Sequence, residues 1–483
     1  MLIFKRLIFL LLLSCSLPLL AQDDIWRDAS LPPEALLEDL QILEQIMQES
    51  HAGINRYSTP LDREAYLLQS KENKKPISLS ECYAAIAGYI DIVHDGHTYV
   101  MPSKSAVGYL LSTNRFLPLT VRVNGTTMHV NQNFSDSYRL EEGTEITAIN
   151  GVSIRAIVRE LLPYFTCDGF GLSGKLGGLE GQFWWYYGIH FGTPDIHEIS
   201  FRTEKGEMEQ IRVFAIHMND RISEINEIYA KDDQPEVPVR HEVLSGAGYL
   251  RVSSFNGMSL KQFENAFDQA FATFDENEVS QVIIDLRGNG GGREGVENLL
   301  MSYLDHNLDM KYDEVEIGKP TSSYYKYMNQ PFKRRMEDVI YRAVEFRQDD
   351  EGRWLRRNRF QRTFISPDYV YNGKVSILID HSVFSGASEF AALAKDYVNN
   401  CQLVGEEACG GYQGHTSGYY YQVELPNSKF VVNLPRIWFD LNVKGDHNGG
   451  VQPDVVIIPR SMREDRDIVL DYVLQGSDGA AQR

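Results

Sequence analysis

The spacing of apolar residues predicts helices near the start of the chain. Over 36–49, apolar side chains recur every three or four residues, which is the period of an amphipathic helix. A second helical stretch covers 81–93, with Ser80 as the candidate N-cap and Gly96 as the stop. Together these stretches predict an N-terminal helical cap over residues 22–105.

Short alternating runs then predict a small β-rich domain over residues 106–235. The runs cover 117–123, 127–130, 145–149 and 152–154. Asn150 and Gly151 separate the last two runs, and both residue types tolerate positive φ. This pair therefore predicts a tight hairpin.

The remainder of the chain alternates strands with helices, which predicts an α/β domain over residues 236–475. The predicted strands are 248–252, 279–286, 375–379 and 402–405, and the predicted helices are 260–274, 295–304 and 389–398. One segment stands apart, because 324–363 is dense in arginine and aromatic residues. It could be a lid, a partner contact or a solvated helical arm.

Composition and charge narrow the class of protein. The chain has 483 residues, of which 43% are hydrophobic and 24% charged, so a folded protein with a large core is expected. The formal net charge of -20 argues against nucleic acid or an anionic membrane as a partner.

The N-terminus resembles a secretory signal. Lys5 and Arg6 precede an apolar run over 7–20, and Ala21 offers a small residue for cleavage. This pattern predicts a signal peptide over 1–21 and a periplasmic or extracellular protein. The alternative is a lipoprotein anchored at Cys15.

Four further cysteines bear on the compartment and on metal binding. They are Cys82, Cys167, Cys401 and Cys409. Their spacing matches no Cys-x-x-Cys motif, which argues against a zinc site. In an oxidising compartment Cys401 and Cys409 could bridge a short loop, or both could remain free thiols.

Ser385 lies where a predicted strand gives way to a predicted helix. It follows the apolar run 375–379 and precedes the helical stretch 389–398, among small neighbours. Such a junction exposes a serine hydroxyl and aims backbone N–H groups at one point, as a nucleophile requires. The alternative is a helix N-cap, formed by Ser385 or Ser388.

A run of glycines follows the predicted strand 279–286. Residues 285–292 are Asp-Leu-Arg-Gly-Asn-Gly-Gly-Gly, and glycines at a strand end let backbone N–H groups approach an anion or an oxyanion closely. Gly290, Gly292 and Gly295 also satisfy the Gly-x-Gly-x-x-Gly pattern of nucleotide sites. The insert between the strand and these glycines disfavours that interpretation.

A histidine pair follows the predicted cap helix. A nucleophilic serine needs a base that titrates near neutrality, and His97 lies in a loop that could present one. The alternatives are an ordinary surface histidine, or a metal site made by His94 and His97. No His-Glu-x-x-His pattern supports a metal.

Four segments carry a resemblance to a known superfamily. They are the glycine run 285–292, Phe-Ser-Gly-Ala-Ser-Glu-Phe at 384–390, Val-Gly-Glu at 404–406 and Gly-Val-Gln-Pro-Asp at 450–454. In this order they resemble the C-terminal-processing (tail-specific) serine peptidase superfamily, nearer to the branch of the tricorn core protease and the interphotoreceptor retinoid-binding protein. The hairpin 143–152 is similar to the PDZ domain of these proteins.

The resemblance implies a fold and a set of site residues. It implies a crotonase/ClpP-like catalytic domain that follows the helical cap and a PDZ-like β-rich domain. Ser385 would be the nucleophile, and the N–H of Gly386 would form the oxyanion hole with that of Gly290 or Gly291. No metal or organic cofactor is implied.

The chain departs from the family pattern at two positions, and these decide the expected base and the residues that would orient it. The tail-specific branch uses a lysine some way after the serine, but 408–414 contains none. The tricorn-like branch uses a histidine, and Asp-Gly-His-Thr at 95–98 resembles its site, which makes His97 the base. A serine precedes that histidine in the tricorn arrangement, but Gly96 stands here. Asp95 and Asp446 are therefore the candidates for orienting the imidazole.

These features predict an exported serine endopeptidase or carboxy-terminal-type peptidase that acts on peptides or unfolded proteins. The alternative is a non-catalytic binding protein on the same fold, for an apolar ligand or a peptide. The aromatic run Phe-Trp-Trp-Tyr-Tyr at 183–187 could line such a site, although core packing also explains it. A crotonase-type acyl-CoA enzyme fits export badly.

Overall fold

The computed structural model describes residues 26, 29–72, 74–218, 220, 237–360, 370–445, 447–458 and 466–475. The α-helices are α1 Pro33–Ser50, α2 Pro60–Lys71, α3 Leu79–Asp91, α4 Lys104–Thr113, α5 Ile154–Leu161, α6 Ser173–Phe191, α7 Leu260–Glu276, α8 Val296–Ser302, α9 Pro331–Ile340, α10 Gly386–Tyr397 and α11 Ile468–Gln475.

The strands of the first half are β1 Ser30–Leu31, β2 Ile77–Ser78, β3 Tyr99–Met101, β4 Leu119–Asn124, β5 Thr127–Asn133, β6 Glu145–Ile149, β7 Val152–Ser153, β8 Ile196–Arg202 and β9 Met208–Phe214. Those of the second half are β10 Val239–Leu244, β11 Ala247–Val252, β12 Gln281–Asp285, β13 Tyr312–Ile317, β14 Phe346–Gln348, β15 Trp354–Arg356, β16 Lys374–Ile379, β17 Cys401–Gly405, β18 Gly414–Ser417, β19 Tyr421–Glu424, β20 Val431–Leu434, β21 Ile437–Leu441 and β22 Val455–Val456. The mixed α/β prediction is confirmed.

A six-stranded sheet forms the centre of the second half, in the order β10-β11-β12-β16-β17-β22. Strand β10 is antiparallel to β11, and the other neighbours are parallel. The carboxyl ends of parallel strands meet at one edge of a sheet. Asp285 pairs with Leu378, so the glycine run after β12 and the Ser385 turn after β16 leave the sheet side by side.

A second contact brings the distant His97 loop to this sheet edge. Strand β3 begins two residues after His97 and pairs with β20 near the other end of the chain. Strands β19, β20 and β3 form one sheet, and its buried residues belong to the hydrophobic core of the N-terminal half. Strand pairing with the C-terminal part of the chain therefore holds the loop of the base candidate beside the Ser385 turn.

The helices and strands that the sequence predicted lie within a few residues of observed elements, but many others, such as α2, α4, α6 and β18 to β21, were not predicted. Asn150 and Gly151 both have positive φ and join β6 to β7, which confirms the predicted hairpin. The N-cap of α3 is Ser78, which forms a capping box with Glu81, so the prediction of Ser80 was wrong. A capping box satisfies two backbone groups at once, which favours the earlier start.

The arginine-rich segment forms an arm on a second sheet. This sheet has the order β14-β15-β13-β21-β18, and α9 precedes β14 along the chain. Helix α9 ends in a π-helical turn, Tyr341–Glu345. Residues 361–363 of the predicted segment lie outside the described residues.

The aromatic run 183–187 belongs to helix α6. Of the aromatic run 183–187, Phe183, Trp184 and Tyr187 are buried on α6, which favours core packing for this cluster. Within the described residues, no helix is long and apolar enough to cross a membrane. The predicted signal peptide over 1–21, including Cys15, lies outside those residues.

Candidate active site

Ser385 occupies a strained turn at the start of α10. Its backbone has φ 55° and ψ -132°, a conformation that costs a non-glycine residue of order 1–3 kcal/mol. Its position is the N-cap of α10, yet its hydroxyl makes no capping hydrogen bond. Instead the Ser388 hydroxyl donates to the Ser385 carbonyl at 2.7 Å. The Ser385 hydroxyl is thus not used to begin the helix.

The glycine run packs directly against this turn. Gly291 has φ +83°, and a Cβ at this position would lie 2.9 Å from Ser385 Cβ and 2.7 Å from the Phe384 carbonyl oxygen. Both contacts are too close for a side chain. Only glycine therefore allows the two loops to approach this closely.

Two backbone N–H groups beside Ser385 remain available. The Gly386 N–H is the first of α10, so it has no acceptor within the helix. The Gly291 N–H donates to Asn289 Oδ1 at 2.9 Å, whereas the Gly290 N–H has no acceptor among the described residues. Of the two glycines that the resemblance offered, Gly290 is the one with a free donor.

The ring of His97 lies beside the residue that precedes the serine. It stacks on Phe384 with a centroid distance of 4.4 Å, and on His415 with a centroid distance of 5.3 Å. Burial, with the positive charge of His415, lowers the pKa of His97 to about 3. Within the described part of the chain, no hydrogen bond joins His97 to the Ser385 hydroxyl, and the buried Nδ1 has no partner.

Of the two candidates for orienting His97, Asp95 belongs to the described residues and binds the loop that carries the ring. Asp95 Oδ1 accepts the backbone N–H groups of His97 at 3.0 Å and of Thr98 at 2.8 Å, and the Thr416 hydroxyl donates to Oδ2. Asp95 is thus placed to shape the backbone turn rather than to contact the ring. Asp446 lies outside the described residues, and the role of each carboxylate stays a prediction.

Two of the departures from the family pattern have a steric cause. A Cβ at Gly96 would lie 2.5 Å from the Phe384 ring, so a serine does not fit before His97. A Cβ at Gly410, in the stretch where a lysine base was sought, would lie 2.0 Å from Ser388 Oγ and 3.2 Å from the Ser385 backbone nitrogen. The packing around Ser385 therefore leaves room for neither side chain.

A second histidine in the site is held as a cation. His415 Nε2 lies 2.7 Å from Glu389 Oε1, and Nδ1 lies 3.0 Å from the Thr416 carbonyl oxygen. Both partners are acceptors, so both ring nitrogens donate and the imidazole is protonated. Although burial lowers it, the negative charges of Glu389 and Asp168 raise the pKa of His415 to about 9.

Glu389 connects this cation to a buried lysine. It lies on α10, one turn after Ser385, and pairs with Lys311 as well as with His415. Burial alone would raise the pKa of Glu389, but these two cations hold it at about 2. Lys311 also donates to Glu297 at 2.6 Å. A chain of buried ion pairs therefore runs from α8 to the ring beside His97.

Asp168 ties the His97 loop to the loop beside Ser385. Its Oδ1 accepts the Gly96 N–H at 2.8 Å, and its Oδ2 accepts the Gly411 N–H at 3.1 Å. The carboxyl is 1% exposed, and burial together with the charge of Asp95 raises its pKa to about 7. Asp168 is thus a positioning residue for both loops.

A disulfide reinforces this link. Cys167, next to Asp168, is bonded to Cys409, and the Cys409 N–H donates to the Val383 carbonyl at 3.0 Å. Of the two alternatives left open for Cys401 and Cys409, a mutual bridge or two free thiols, neither holds for Cys409. Cys401 and Cys82 are free thiols. The bond joins segments 242 residues apart, a pairing that spacing along the chain does not indicate.

Sequence reasoning missed Asp168, His415 and Glu389. Only Glu389 carried a local signal, because an acidic residue one turn after a candidate nucleophile shares its helix face. The other two come together through long-range pairing. Within the described chain, no cluster of three or more histidine, cysteine or carboxylate side chains could hold a metal ion, and the pair of His94 and His97 lacks a third ligand.

Comparisons with known proteins give one sequence family and several similar folds. Residues 246–457 match the sequence profile of peptidase family S41. Mature CPAF is similar in structure over 88% of this chain and 92% of that chain, with 15% identity and a TM-score of 0.55. The structure of mature CPAF complexed with lactacystin is similar over 88% of this chain and 94% of that chain, with 14% identity and a TM-score of 0.55. No curated protein sequence gives a significant match.

A third structure, the photosystem II D1 C-terminal processing protease, covers 89% of this chain and 93% of that chain, with 15% identity and a TM-score of 0.39. At these identities the likeness to CPAF shows the fold alone. The family match confirms the resemblance to the tail-specific serine peptidase superfamily, and residues 246–457 form a serine-type peptidase region of family S41.

Proposed function

We propose that this chain, with its family S41 peptidase region, hydrolyses peptide bonds with Ser385 as the nucleophile and His97 as the base. One observation carries the proposal. Ser385 starts α10 with a strained φ and a hydroxyl that makes no capping hydrogen bond. The N–H groups of Gly386 and Gly290 lie beside it without an acceptor among the described residues. The preceding residue, Phe384, stacks on the ring of His97. These neighbours support a nucleophile, oxyanion donors and a base within one site.

The mechanism is acyl transfer. His97 takes the proton of the Ser385 hydroxyl while Oγ attacks the peptide carbonyl. The N–H groups of Gly386 and Gly290 stabilise the negative oxygen of the tetrahedral intermediate, and the positive end of the α10 dipole supports them. His97 then protonates the departing amine, and water releases the acyl group by the same steps in reverse.

The charges around His97 bear on the role of a base in two ways. With its pKa lowered to about 3, the ring is neutral and keeps a free lone pair throughout the neutral range, but so low a pKa also makes it a weak proton acceptor. The imidazolium that forms during attack would lie near the cation His415, which opposes it, and near the carboxylates of Asp95 and Glu389, which favour it. Ion pairing of His415 with Glu389 reduces the opposition.

The ring of His97 also needs a fixed tautomer. Asp95 and Asp446 remain the candidates, as the sequence suggested. Asp95 acts at least through the backbone of the loop, where it accepts two N–H groups. A second role at Nδ1 would require a small rotation of its carboxylate or of the ring when substrate binds, since catalytic hydrogen bonds tighten in the bound complex.

Two finer proposals concern the β-domain and the location. The sheet β4-β5-β6-β8-β9 has β4 and β9 at its edges, which suits a PDZ-like domain that binds an extended chain by strand addition.

Export to the periplasm or the extracellular space rests on the sequence of 1–21, and the Cys167–Cys409 disulfide fits an oxidising compartment. N-terminal sequencing of the mature protein tests the cleavage site and the alternative lipidation at Cys15.

The decisive experiment combines labelling with hydrolysis. The purified protein is expected to cleave casein or a fluorogenic peptide and to react with a fluorophosphonate at Ser385. Ser385→Ala should abolish labelling and reduce kcat/KM by at least about 10³-fold, and His97→Ala should reduce kcat/KM by a similar factor. Lactacystin, which is bound in a solved structure of mature CPAF, is a second probe.

The controls separate loss of chemistry from loss of fold. Ser388→Ala removes a hydroxyl one turn further along α10, so it should keep labelling and most of the activity. An unlabelled, inactive wild-type protein would refute the peptidase proposal. Activity retained by Ser385→Ala or His97→Ala would refute the assignment of these residues.

The second candidate is a peptide-binding protein without catalysis. The buried, unpartnered Nδ1 of His97, with no hydrogen bond from Ser385 within the described residues, favours it. The burial of Phe183, Trp184 and Tyr187 weighs against an apolar ligand at that cluster. Peptide binding without turnover or fluorophosphonate labelling would support this candidate.

A further inference from the structure

Helix α9 of the arm is oriented with its polar side inward. Phe332, Met336, Val339 and Ile340 are exposed by 78%, 46%, 43% and 53%, and their spacing places them on one stripe. Asp338, on the opposite side, is 1% exposed. Surface helices normally bury the apolar stripe, so this arrangement indicates a face that is meant for contact.

The inward side is fixed by charge and hydrogen bonds. Arg436, itself 1% exposed, pairs with Asp338, and its guanidinium lies 4.1 Å from the centre of the Tyr421 ring. The hydroxyls of Tyr325 and Tyr421 also donate to Asp338. Because these buried groups satisfy one another, turning the helix over to hide its apolar stripe would leave charges unpaired. The apolar side is therefore held outward.

Positive charges border the apolar stripe. Lys333 and Arg335 are exposed on its two sides, and Arg342 and Arg347 are exposed after the helix. The nearby acidic residue, Glu337, is half-buried; it pairs with Arg334 at 2.9 Å and more loosely with Lys333 at 3.9 Å. The exposed surface of 332–347, termed the arm face below, is thus apolar and cationic in a chain with a net charge of -20.

The arm is attached to both sides of the candidate active site. Tyr341 stacks on Tyr419 with a centroid distance of 3.8 Å, and the next residue, Tyr420, has its ring centroid 6.4 Å from that of His97. On the other side, Arg356 pairs at 3.0 Å with Glu294, which follows the glycine run by two residues.

Glu345 joins the two attachments within the arm. Its carboxylate accepts Arg356 Nε at 2.8 Å and the Tyr419 hydroxyl. The end of the π-helical turn is thereby bound both to the strand that reaches the glycine run and to the loop that lies beside His97. The arm face is consequently carried on an element that is bonded to both borders of the candidate site.

We propose that the arm face binds the part of an extended polypeptide substrate that lies beyond the scissile bond, and that it selects segments rich in acidic and apolar residues. The inference rests on the proposed peptidase function and specifies its substrate class. Acidic side chains would pair with Lys333, Arg335, Arg342 and Arg347, and apolar side chains would cover the stripe.

Charge and position favour a substrate over other occupants. Two copies of a cationic face would repel each other, which disfavours symmetric pairing of arms. An anionic bilayer would attract the arm but repel the rest of a chain with a net charge of -20. A polypeptide held at Ser385 has to leave the site past one of its borders, and the arm is attached to two of them.

The test uses three fluorogenic peptides that share one cleavable core. One is the short core alone, and the others carry an acidic, apolar extension or a basic, polar extension. The wild-type protein should cleave the acidic extension with a kcat/KM about tenfold above that of the short core, which corresponds to about 1.4 kcal/mol. The basic extension should give no gain.

Two pairs of substitutions should remove the gain and leave the short core unaffected. They are Phe332→Ser with Ile340→Ser, and Lys333→Glu with Arg335→Glu. The matched controls, Leu68→Ser and Arg155→Glu, change an exposed leucine on α2 and an exposed arginine on α5. They should keep the full tenfold preference. Circular dichroism checks that each variant is folded.

The outcomes distinguish the inference from the function it rests on. If wild-type protein cleaves none of the three peptides, the proposed function fails. If the short core is cleaved but the acidic extension brings no gain, or if arm and control variants behave alike, the inference is overturned. It is also overturned if the arm variants change only self-association or binding to anionic phospholipid vesicles.

Discussion

The Ser385 side and the His97 side of the candidate site are built in different ways. The Ser385 turn belongs to one continuous strand, turn and helix, and its neighbour, the glycine run, ends the adjacent parallel strand. The His97 loop is held by Asp168, by Thr416 through Asp95, and by the pairing of β3 with β20. The nucleophile depends on local backbone conformation, whereas the base depends on contacts between distant segments.

The two sides should therefore be sensitive to different substitutions. A change in backbone conformation near Ser385 should disturb the chemistry directly. A change in the contacts around His97 should act more gradually, because several independent contacts share the work. Substitutions that change one side at a time therefore separate the two contributions.

The largest effect is expected at Gly291. Alanine there requires an unfavourable φ of +83° and places Cβ within 3 Å of the Phe384 carbonyl and of Ser385. Displacement of the Ser385 turn and the Gly386 N–H should lower kcat/KM by about 10³-fold, or about 4 kcal/mol. Hydrolysis of the short peptide measures it.

Gly288→Ala is the matched control. Gly288 also has a positive φ, +76°, but the nearest atom to an added Cβ is 3.8 Å away. It should cost only the conformational penalty, about 1 kcal/mol of unfolding free energy, with activity nearly unchanged. Equal losses in the two variants would show that close packing at Ser385 is not what Gly291 provides.

A smaller effect is expected from His415, which lies between the two sides. It pairs with Glu389 on the Ser385 helix and stacks on His97. Its pKa is raised to about 9 in the folded protein from an ordinary value of about 6.5, so the pair stabilises the fold below pH 6.5. That stability, about 3 kcal/mol, should be lost as the pH rises through 9.

The measurement is denaturant unfolding of wild type and His415→Gln between pH 6 and pH 10. Tyrosines and lysines titrate in the same range in both proteins, so their contribution cancels in the difference. The gap between the two unfolding free energies should be largest at the acidic end and should close near the alkaline end. A constant gap would show that the histidine is not protonated in the folded state.

The smallest effect is expected at Asp168. The two oxygens of Asp168 accept the N–H groups of Gly96 and Gly411. In Asp168→Asn the amide oxygen still accepts from one of these groups, but the amide nitrogen, which is a donor, faces the other. The loops should separate slightly, lowering kcat about tenfold with little change in KM, because the residue positions the base without touching substrate. Asp136→Asn, on an exposed loop, is the control and should match wild type.

A fall in the unfolding temperature of Asp168→Asn without a fall in kcat would assign Asp168 a structural role alone. A loss of activity as large as that of Gly291→Ala would contradict the comparison itself. The His97 side would then depend on one contact rather than on several.

The sequence indicated the Ser385 side because its signals are local. A small-residue turn between an apolar run and a helix, and glycines after the neighbouring strand, are visible in short stretches of the chain. The hairpin at Asn150 and Gly151 was predictable for the same reason, since it depends on the φ preferences of two adjacent residues.

The His97 side was only partly predictable. The resemblance singled out His97, but nothing near Asp168 or His415 indicated that they would meet it. Their partners lie tens to hundreds of residues away, and Cys409 pairs with Cys167 rather than with the nearby Cys401. The outward apolar stripe of α9 was hidden too, because helical periodicity does not say which face is buried.

The Cys167–Cys409 bond also closes the polypeptide into a ring that contains about half of the chain. Ser385 lies inside the ring and His97 outside it. A single backbone cut anywhere between the two cysteines would leave both residues on one covalent molecule, with an unchanged apparent mass until a reductant is added. Force applied to the ends of an intact chain would not extend the ring, whose cysteines are 242 positions apart, so roughly 800 Å of contour length at about 3.4 Å per residue would stay closed.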